Sequence, residues 1–197
     1  MSPAAPKRKM SYSEYAAREA TSDVKHEYLD GEVFAMAGGT IEHGVLTERV
    51  KDAIKATLPA GCGCVVVGPD IRVRTPSGKG TYPDGFVVCG KFERAKDDDN
   101  SVTNPTVIVE VLSKDAESYD RGEKFDHYRG LASIKEYVLV AYRKPQIESH
   151  LRNADGSWTV TYAVAGDSLV LRSIDARLDV SALYEGLSFE SGAMRLA

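Results

Sequence analysis

Short apolar runs broken by turn residues dominate this chain, and their periods predict an alternation of helices and strands. Ser11 to Arg18 reads as a short helix capped by Ser11 or Ser13. Glu27–Leu29 and Glu32–Met36 flank an Asp30-Gly31 turn, a hairpin signature. A helix runs from Thr40 to about Leu58, ended by Pro59 to Gly63. Strands follow at Cys64–Val67, Ile71–Arg74 and Tyr82–Cys89, the last two separated by a Pro76-Ser77-Gly78 turn. Thr106–Leu112 is almost wholly β-branched or apolar, the pattern of a strand buried on both faces. Asp120 to Leu131 reads as one helix, with Asp120 as N-cap and Glu123 at the capping-box position. Glu136–Ala141 is a second buried-type strand. Ile147–Leu151, an Asp155-Gly156 turn, Trp158–Val164 and Ser168–Leu171 add antiparallel strands. The sum is an α/β (α+β) fold: a mixed β-sheet flanked by helices, with extra C-terminal antiparallel strands.

The informative positions are polar residues where this pattern calls for apolar ones. Glu110 shares a strand face with Ile108 and Leu112. An unpaired buried carboxylate costs several kcal/mol, so Glu110 either has a cation beside it or reaches solvent from the strand end. Asp84 stands in Tyr82-Pro83-Asp84-Gly85 at a strand start, where proline is tolerated. Alone it reads as a turn residue; beside Glu110 it completes an oxygen-rich pocket for a hard cation such as Mg²⁺. At about 100° per residue, Lys124 falls on the side of its helix that holds Tyr128 and Leu131. It either points inward to the carboxylates or snorkels from the helix edge. His43 shares an arc with Leu46, Val50, Ala53 and Ile54, opposite Lys51, Asp52 and Lys55. It is either a hydrogen-bonded core residue or a group at the edge of a site.

Composition narrows the classes. Hydrophobic residues make up 43% and charged residues 27% of 197 positions, the balance of an ordinary globular chain. No apolar run approaches the ~20 residues of a membrane-spanning helix. Residues 1–10, with Lys7, Arg8 and Lys9 but no following apolar run, read as a disordered arm and not a secretory signal. Residues 11–190 are expected to form one domain. Cys62, Cys64 and Cys89 are too few for a disulfide scaffold and fit a reducing cytoplasm. Their spacing also departs from the ligand sets that zinc takes. Asp97, Asp98 and Asp99 lack the spaced ligands of a calcium loop and read as solvated. A net charge of −4 argues against a protein that coats nucleic acid, but allows a local basic groove.

Four stretches together carry a resemblance to the Uma family, a branch of the PD-(D/E)XK restriction-endonuclease-like superfamily. They are Tyr28-Leu29-Asp30-Gly31-Glu32-Val33-Phe34-Ala35-Met36, Tyr82-Pro83-Asp84, Glu110-Val111-Leu112-Ser113, and Asp120-Arg121-Gly122-Glu123-Lys124 with Tyr128. Glu136-Tyr137-Val138-Leu139-Val140 and Trp158 also fit, so the likeness runs from about Ser11 to Gly186. The resemblance implies a restriction-endonuclease-like fold with a metal site at strand ends. Asp84 and Glu110 match the two acids. Leu112 stands where the superfamily's lysine is usual, and Lys124, on the following helix, matches in its place. Glu32 and His43 match positions typical of the family, whereas Gly85 departs from the usual apolar residue.

The expectation is then a Mg²⁺-dependent endonuclease acting on DNA, Mn²⁺ being an alternative ion. Asp84, Glu110 and the Val111 carbonyl hold the metal, and Lys124 positions or helps deprotonate the attacking water. Cleavage leaving a 5′-phosphate and a homodimer for duplex cutting follow by analogy with the superfamily. The competing readings are a nuclease fold that has lost cleavage and binds nucleic acid or a protein, and a metal-dependent hydrolase of another substrate.

Overall fold

The computed structural model describes residues 9–36, 38–190 and 193–196. The reading of a disordered N-terminal arm falls, for residues 1–8, outside the described residues. The chain from Met10 onward is anchored, because the Met10 N–H donates to the Gly31 carbonyl at 3.0 Å.

Helix α1 (Tyr12–Glu19) starts at Ser11, whose hydroxyl accepts from the Glu14 N–H while the Glu14 carboxylate accepts from the Ser11 N–H, a full capping box. Strands β1 (His26–Leu29) and β2 (Glu32–Ala35) form the expected hairpin. Asp30 and Gly31 both take positive φ, 49° and 86°, as a two-residue turn matched to strand twist requires. Helix α2 (Ile41–Thr57) is capped by the Thr40 hydroxyl. Then come β3 (Cys64–Val67), β4 (Arg72–Arg74), β5 (Gly80–Thr81), β6 (Gly85–Cys89), β7 (Arg94–Ala95), β8 (Asp98–Val102) and β9 (Val107–Val111). Helices α3 (Glu117–Arg121) and α4 (Glu123–Arg129) lead to β10 (Glu136–Val140), β11 (Gln146–Arg152), β12 (Trp158–Val164), β13 (Ser168–Leu171) and β14 (Ala176–Asp179). The described chain finishes with α5 (Val180–Leu183), β15 (Leu187–Glu190) and β16 (Ala193–Leu196).

The strands form two mixed six-stranded sheets and two separate hairpins. One sheet runs β2-β1-β5-β4-β8-β7, the other β12-β11-β10-β9-β6-β3. In the second, β9 and β10 are parallel and α3 and α4 make the crossover between them, while β6 and β11 flank them antiparallel. Every residue of β9 and β10 is buried, as their apolar runs imply. Leu46, Val50 and Ile54 of α2 join the same core.

Four expectations need correction. The segment read as one helix from Asp120 breaks at Gly122 (φ −112°, ψ −102°), and neither half has a side-chain cap. The Asp97–Asp99 segment is not a solvated loop throughout: Asp98 opens β8, is buried, and is gripped by the Arg72 guanidinium. Arg72 lies 26 residues away, beyond any local pattern. Lys51 does not sit on the solvent face of α2; it is buried, and its ammonium pairs with Glu48 at 2.6 Å. Cys64 and Cys89, opposite each other on β3 and β6, are joined in a disulfide, so only Cys62 remains a free thiol. Adjacent strands brought them together across 25 residues of sequence, which a count of cysteines does not reveal.

Candidate active site

The site begins where a ladder ends. Strand β6 starts opposite Val109, so its hydrogen bonding to β9 stops before Val111. Buried main-chain groups left by the ladder must find other partners. The Val111 N–H donates to Asp84 Oδ2 at 2.7 Å. The Val111 carbonyl accepts from His43 Nε2 at 2.9 Å, and the same nitrogen lies 3.3 Å from Asp84 Oδ2. Both neighbours of Nε2 are acceptors, so this nitrogen carries the proton. Burial pulls the His43 imidazole down in pKa, but the bond and charge of Asp84 and the Val111 carbonyl outweigh it and raise it. Asp84 and His43 side chains are about a fifth exposed, so this pair forms the mouth.

Beneath the mouth lies a buried charge cluster. The Asp84 N–H donates to Glu110 Oε2 at 3.3 Å. Glu110 Oε1 meets Lys124 Nζ at 2.8 Å and accepts the Tyr128 hydroxyl at 3.1 Å. Lys124 also lies 3.3 Å from Asp120 Oδ1. Lys124 and Tyr128 reach the same carboxylate because they are one turn apart within α4. On the far side, Glu27 accepts from the Tyr119 hydroxyl at 2.8 Å and pairs with Lys79 at 3.3 Å. Burial pushes the Glu110 carboxyl well above its ordinary value; Lys124 opposes this, while Asp120 and Asp84 add to it. Burial also raises Asp120 despite Lys124. Lys124 itself is driven upward, because the charges of Glu110, Asp120 and Glu27 outweigh its own burial.

Of the residues singled out in the sequence, Asp84, Glu110, Val111, Lys124 and His43 come together. Glu32 does not: it is exposed on the edge strand β2. Glu27, on the neighbouring strand, holds the inward acid position instead. Sequence reading missed Glu27 because its partners Thr81, Lys79 and Tyr119 are distant along the chain. Asp120 was legible in principle, being spaced i, i+4 from Lys124, but its capping pattern hid that pairing. Gly85 has a spatial reason: a Cβ there would lie 3.2 Å from Lys51 Cγ, whose stem crosses the strand start.

Does this donor set suit a hard divalent cation? Asp84, Glu110 and the Val111 carbonyl are all oxygen donors, as Mg²⁺ prefers. Four carboxylates (Glu27, Asp84, Glu110 and Asp120) face two ammoniums, Lys79 and Lys124. Added positive charge would offset the raised Glu110 carboxyl. Among the described residues no three His, Cys, Asp or Glu side chains form a ready cage. That agrees with Mg²⁺ habit, which relies on one or two carboxylates plus water and substrate oxygens. The residues fit.

Comparison with known proteins gives the class. A crystal structure of a "putative nuclease belonging to DUF820" from Anabaena variabilis superposes with a TM-score of 0.66, covering 83% of this chain and 91% of that one at 14% identity. The fold is therefore shared with that putative nuclease. Two uncharacterized proteins of Synechocystis sp. are similar in sequence, one 35% identical over 95% of this chain and 98% of its own length. The other is 31% identical over 77% of this chain and 86% of its own length. Residues 12–181 match the family described as "Uma2: Putative restriction endonuclease", and the chain belongs to that family.

Proposed function

We propose that this protein is a metal-dependent endonuclease that hydrolyses phosphodiester bonds in DNA. The observation that carries the reading is the Asp84–Glu110–Lys124 cluster, a partly open acid mouth over a buried carboxylate and ammonium. Asp84, Glu110 and the second lone pair of the Val111 carbonyl would hold Mg²⁺, or Mn²⁺. When bound, such an ion polarises a phosphate oxygen and makes a water molecule acidic.

The chain's own residues do the rest. Glu110 and Lys124 are 2% and 6% exposed, so the floor is closed to bulk water and charge there is poorly screened. Lys124 is fixed from two sides by Glu110 and Asp120, which pre-orients its ammonium toward developing negative charge. With acceptors as its near partners, it acts as a charged donor and not as a base. His43 locks the Val111 peptide and Asp84 in one arrangement through its Nε2–H. A homodimer would supply the second site that a duplex cut requires.

The test is to incubate purified protein with plasmid and single-stranded DNA in Mg²⁺, Mn²⁺ or EDTA, beside Asp84→Ala. Metal-dependent nicking lost in Asp84→Ala supports the reading. Nicking that persists in the variant comes from a contaminant and sinks it. Binding without cleavage under every metal would replace it with a silent nucleic-acid-binding protein.

A further inference from the structure

A cavity of about 300 Å³ opens beside the acid cluster, and the sheet register fixes its position. Glu110 pairs across to Leu139, Leu139 to Glu148, and Glu148 to Tyr162. Residues in register on neighbouring strands point to the same face, so these four form one row across β9, β10, β11 and β12. Glu110 belongs to the site, and the other three line the cavity. At ~4.8 Å per strand, Glu148 lies about 10 Å and Tyr162 about 14 Å along the row. That is about three to four steps of a stacked nucleic-acid strand at ~3.4 Å each.

The cavity is chemically unlike its surroundings. The turn after β10 carries Arg143 and Lys144 at its rim, at the same end of the sheet as Val111. Lys144 is exposed and has no ion-pair partner among the described residues. Arg143 is 57% exposed at its side chain, and its Nε donates to the Tyr142 hydroxyl at 2.5 Å. The two acids of the cavity are already engaged. Glu148 accepts from Arg121 at 2.6 Å and contacts His150 at 2.5 Å; Glu117 accepts from Arg121 at 3.1 Å and lies 3.9 Å from Arg143 Nη2. They brace Arg121 in place, and with Arg143 and Lys144 three cations face two acids, which leaves the cavity with an excess of positive charge. Arg121 follows Asp120 directly, so α3 serves both places: Asp120 turns to Lys124, Arg121 to the cavity. Tyr162 is 58% exposed, and Val160 and Val164, two residues to either side on the same face of β12, are exposed with it. Cations along a groove with an exposed aromatic ring are the elements that bind a single strand: charge for phosphates, a π-face for a base.

Resting on the nuclease reading of the adjacent site, we infer that this cavity is a subsite for a single-stranded segment of the substrate. Arg143 and Lys144 hold a phosphodiester a few nucleotides from the cleaved bond, and Tyr162 stacks on a base. A cutting site on a chain of net charge −4 needs such a local cationic patch to retain its polyanion.

The experiment measures anisotropy of a labelled single-stranded oligonucleotide, as DNA and as RNA of the same sequence, in EDTA so that no turnover intervenes. Arg143→Ala/Lys144→Ala should weaken binding on the order of tenfold at low salt. It should flatten the slope of log K against log salt by about 0.7, the one phosphodiester that the two cations share. Tyr162→Ala should weaken binding about five- to a hundredfold, while Tyr162→Phe keeps it. Lys55→Ala, an exposed lysine of α2, should change little. If the double variant misfolds, Lys144→Glu gives the same reading from one exposed position. Loss with either strand type carries the proposal. Affinity and salt slope unchanged from the Lys55→Ala control would overturn it. If the variants lose affinity but the wild-type protein never cleaves, the subsite stands and the nuclease reading falls. If cleavage is robust and the variants bind normally, the reverse holds.

Discussion

A buried carboxylate on each sheet meets a buried cation, from a neighbouring strand in one and from helix α4 in the other, and the two pairs are held differently. In the first sheet, Arg72 grips Asp98 through Nε at 2.9 Å and Nη2 at 2.8 Å, with Tyr82 accepting from Nη1 and Tyr12 donating to the acid. Burial alone would raise the Asp98 carboxyl, but Ser101, Arg72 and the Asn100 N–H hold it below its ordinary value. On the second sheet, Glu110 meets Lys124 of α4, yet its carboxyl is pushed up, since burial and two more acids oppose its charge. The first pair is complete: a planar fork meets a carboxylate and the remaining lone pairs are used. In the second, four acids outnumber two ammoniums, Lys124 and Lys79, and the cluster stays short of positive charge. A completed pair locks a fold together; an incomplete one can take up an ion.

The largest expected effect breaks the complete pair. Arg72→Met leaves Asp98 buried without its cation and should cost about 3–5 kcal/mol in denaturant unfolding. A loss under ~1 kcal/mol would mean water reaches the acid. Next comes the ion. At a hundredfold excess over its Kd, Mg²⁺ should stabilise the wild-type protein by about 2.7 kcal/mol, raising Tm by about 5–10 °C. Glu110→Gln should show no such gain, and in EDTA should stay within about 1 kcal/mol of wild type, because removing that acid relieves a crowded negative cluster. An equal Mg²⁺ gain in the variant would move the ion elsewhere.

The pairs should also differ in sign against pH. Asp98 titrates lower in the folded state, so its stabilisation is full above its ordinary value of 3.8 and is lost as pH falls through the lower folded value. Asp98→Asn should flatten that acid limb. Glu110 titrates higher when folded, so in EDTA its contribution declines as pH rises above its ordinary value of 4.5. Glu110→Gln should therefore gain on wild type as pH rises. The smallest effect sharpens the choice between two neighbouring strand acids: Glu32→Gln should change stability by less than ~0.5 kcal/mol. Glu27→Gln should be clearly larger, and equal effects would contradict the burial difference.

The same contrast explains what could be read along the chain. Glu110 was visible because it interrupts an apolar run, and Lys124 because it shares a helical turn with Tyr128. The Asp30-Gly31 turn and the buried strands β9 and β10 follow from spacing alone, whereas the cap of α1 was left open between Ser11 and Ser13. Asp98 was invisible because its meaning lies in Arg72, and two polar residues in polar-looking segments raise no local conflict. Glu27 follows His26 in a strand of only four residues, too short for a pattern to mark its burial. The division into two sheets depends on long-range pairing such as β4 with β8, for which the sequence carries no register signal.

Val111 has a consequence for how this protein tolerates change. Its contribution to the mouth comes from its N–H and its carbonyl, not from its isopropyl group. Isoleucine or leucine could therefore replace it with the link between His43 and Asp84 intact, and a tally of side-chain identities would rank the position as mere packing. Proline alone among the residues would erase the donor. Part of this site is thus inherited through the path of the backbone, and the letters of the sequence record it only indirectly.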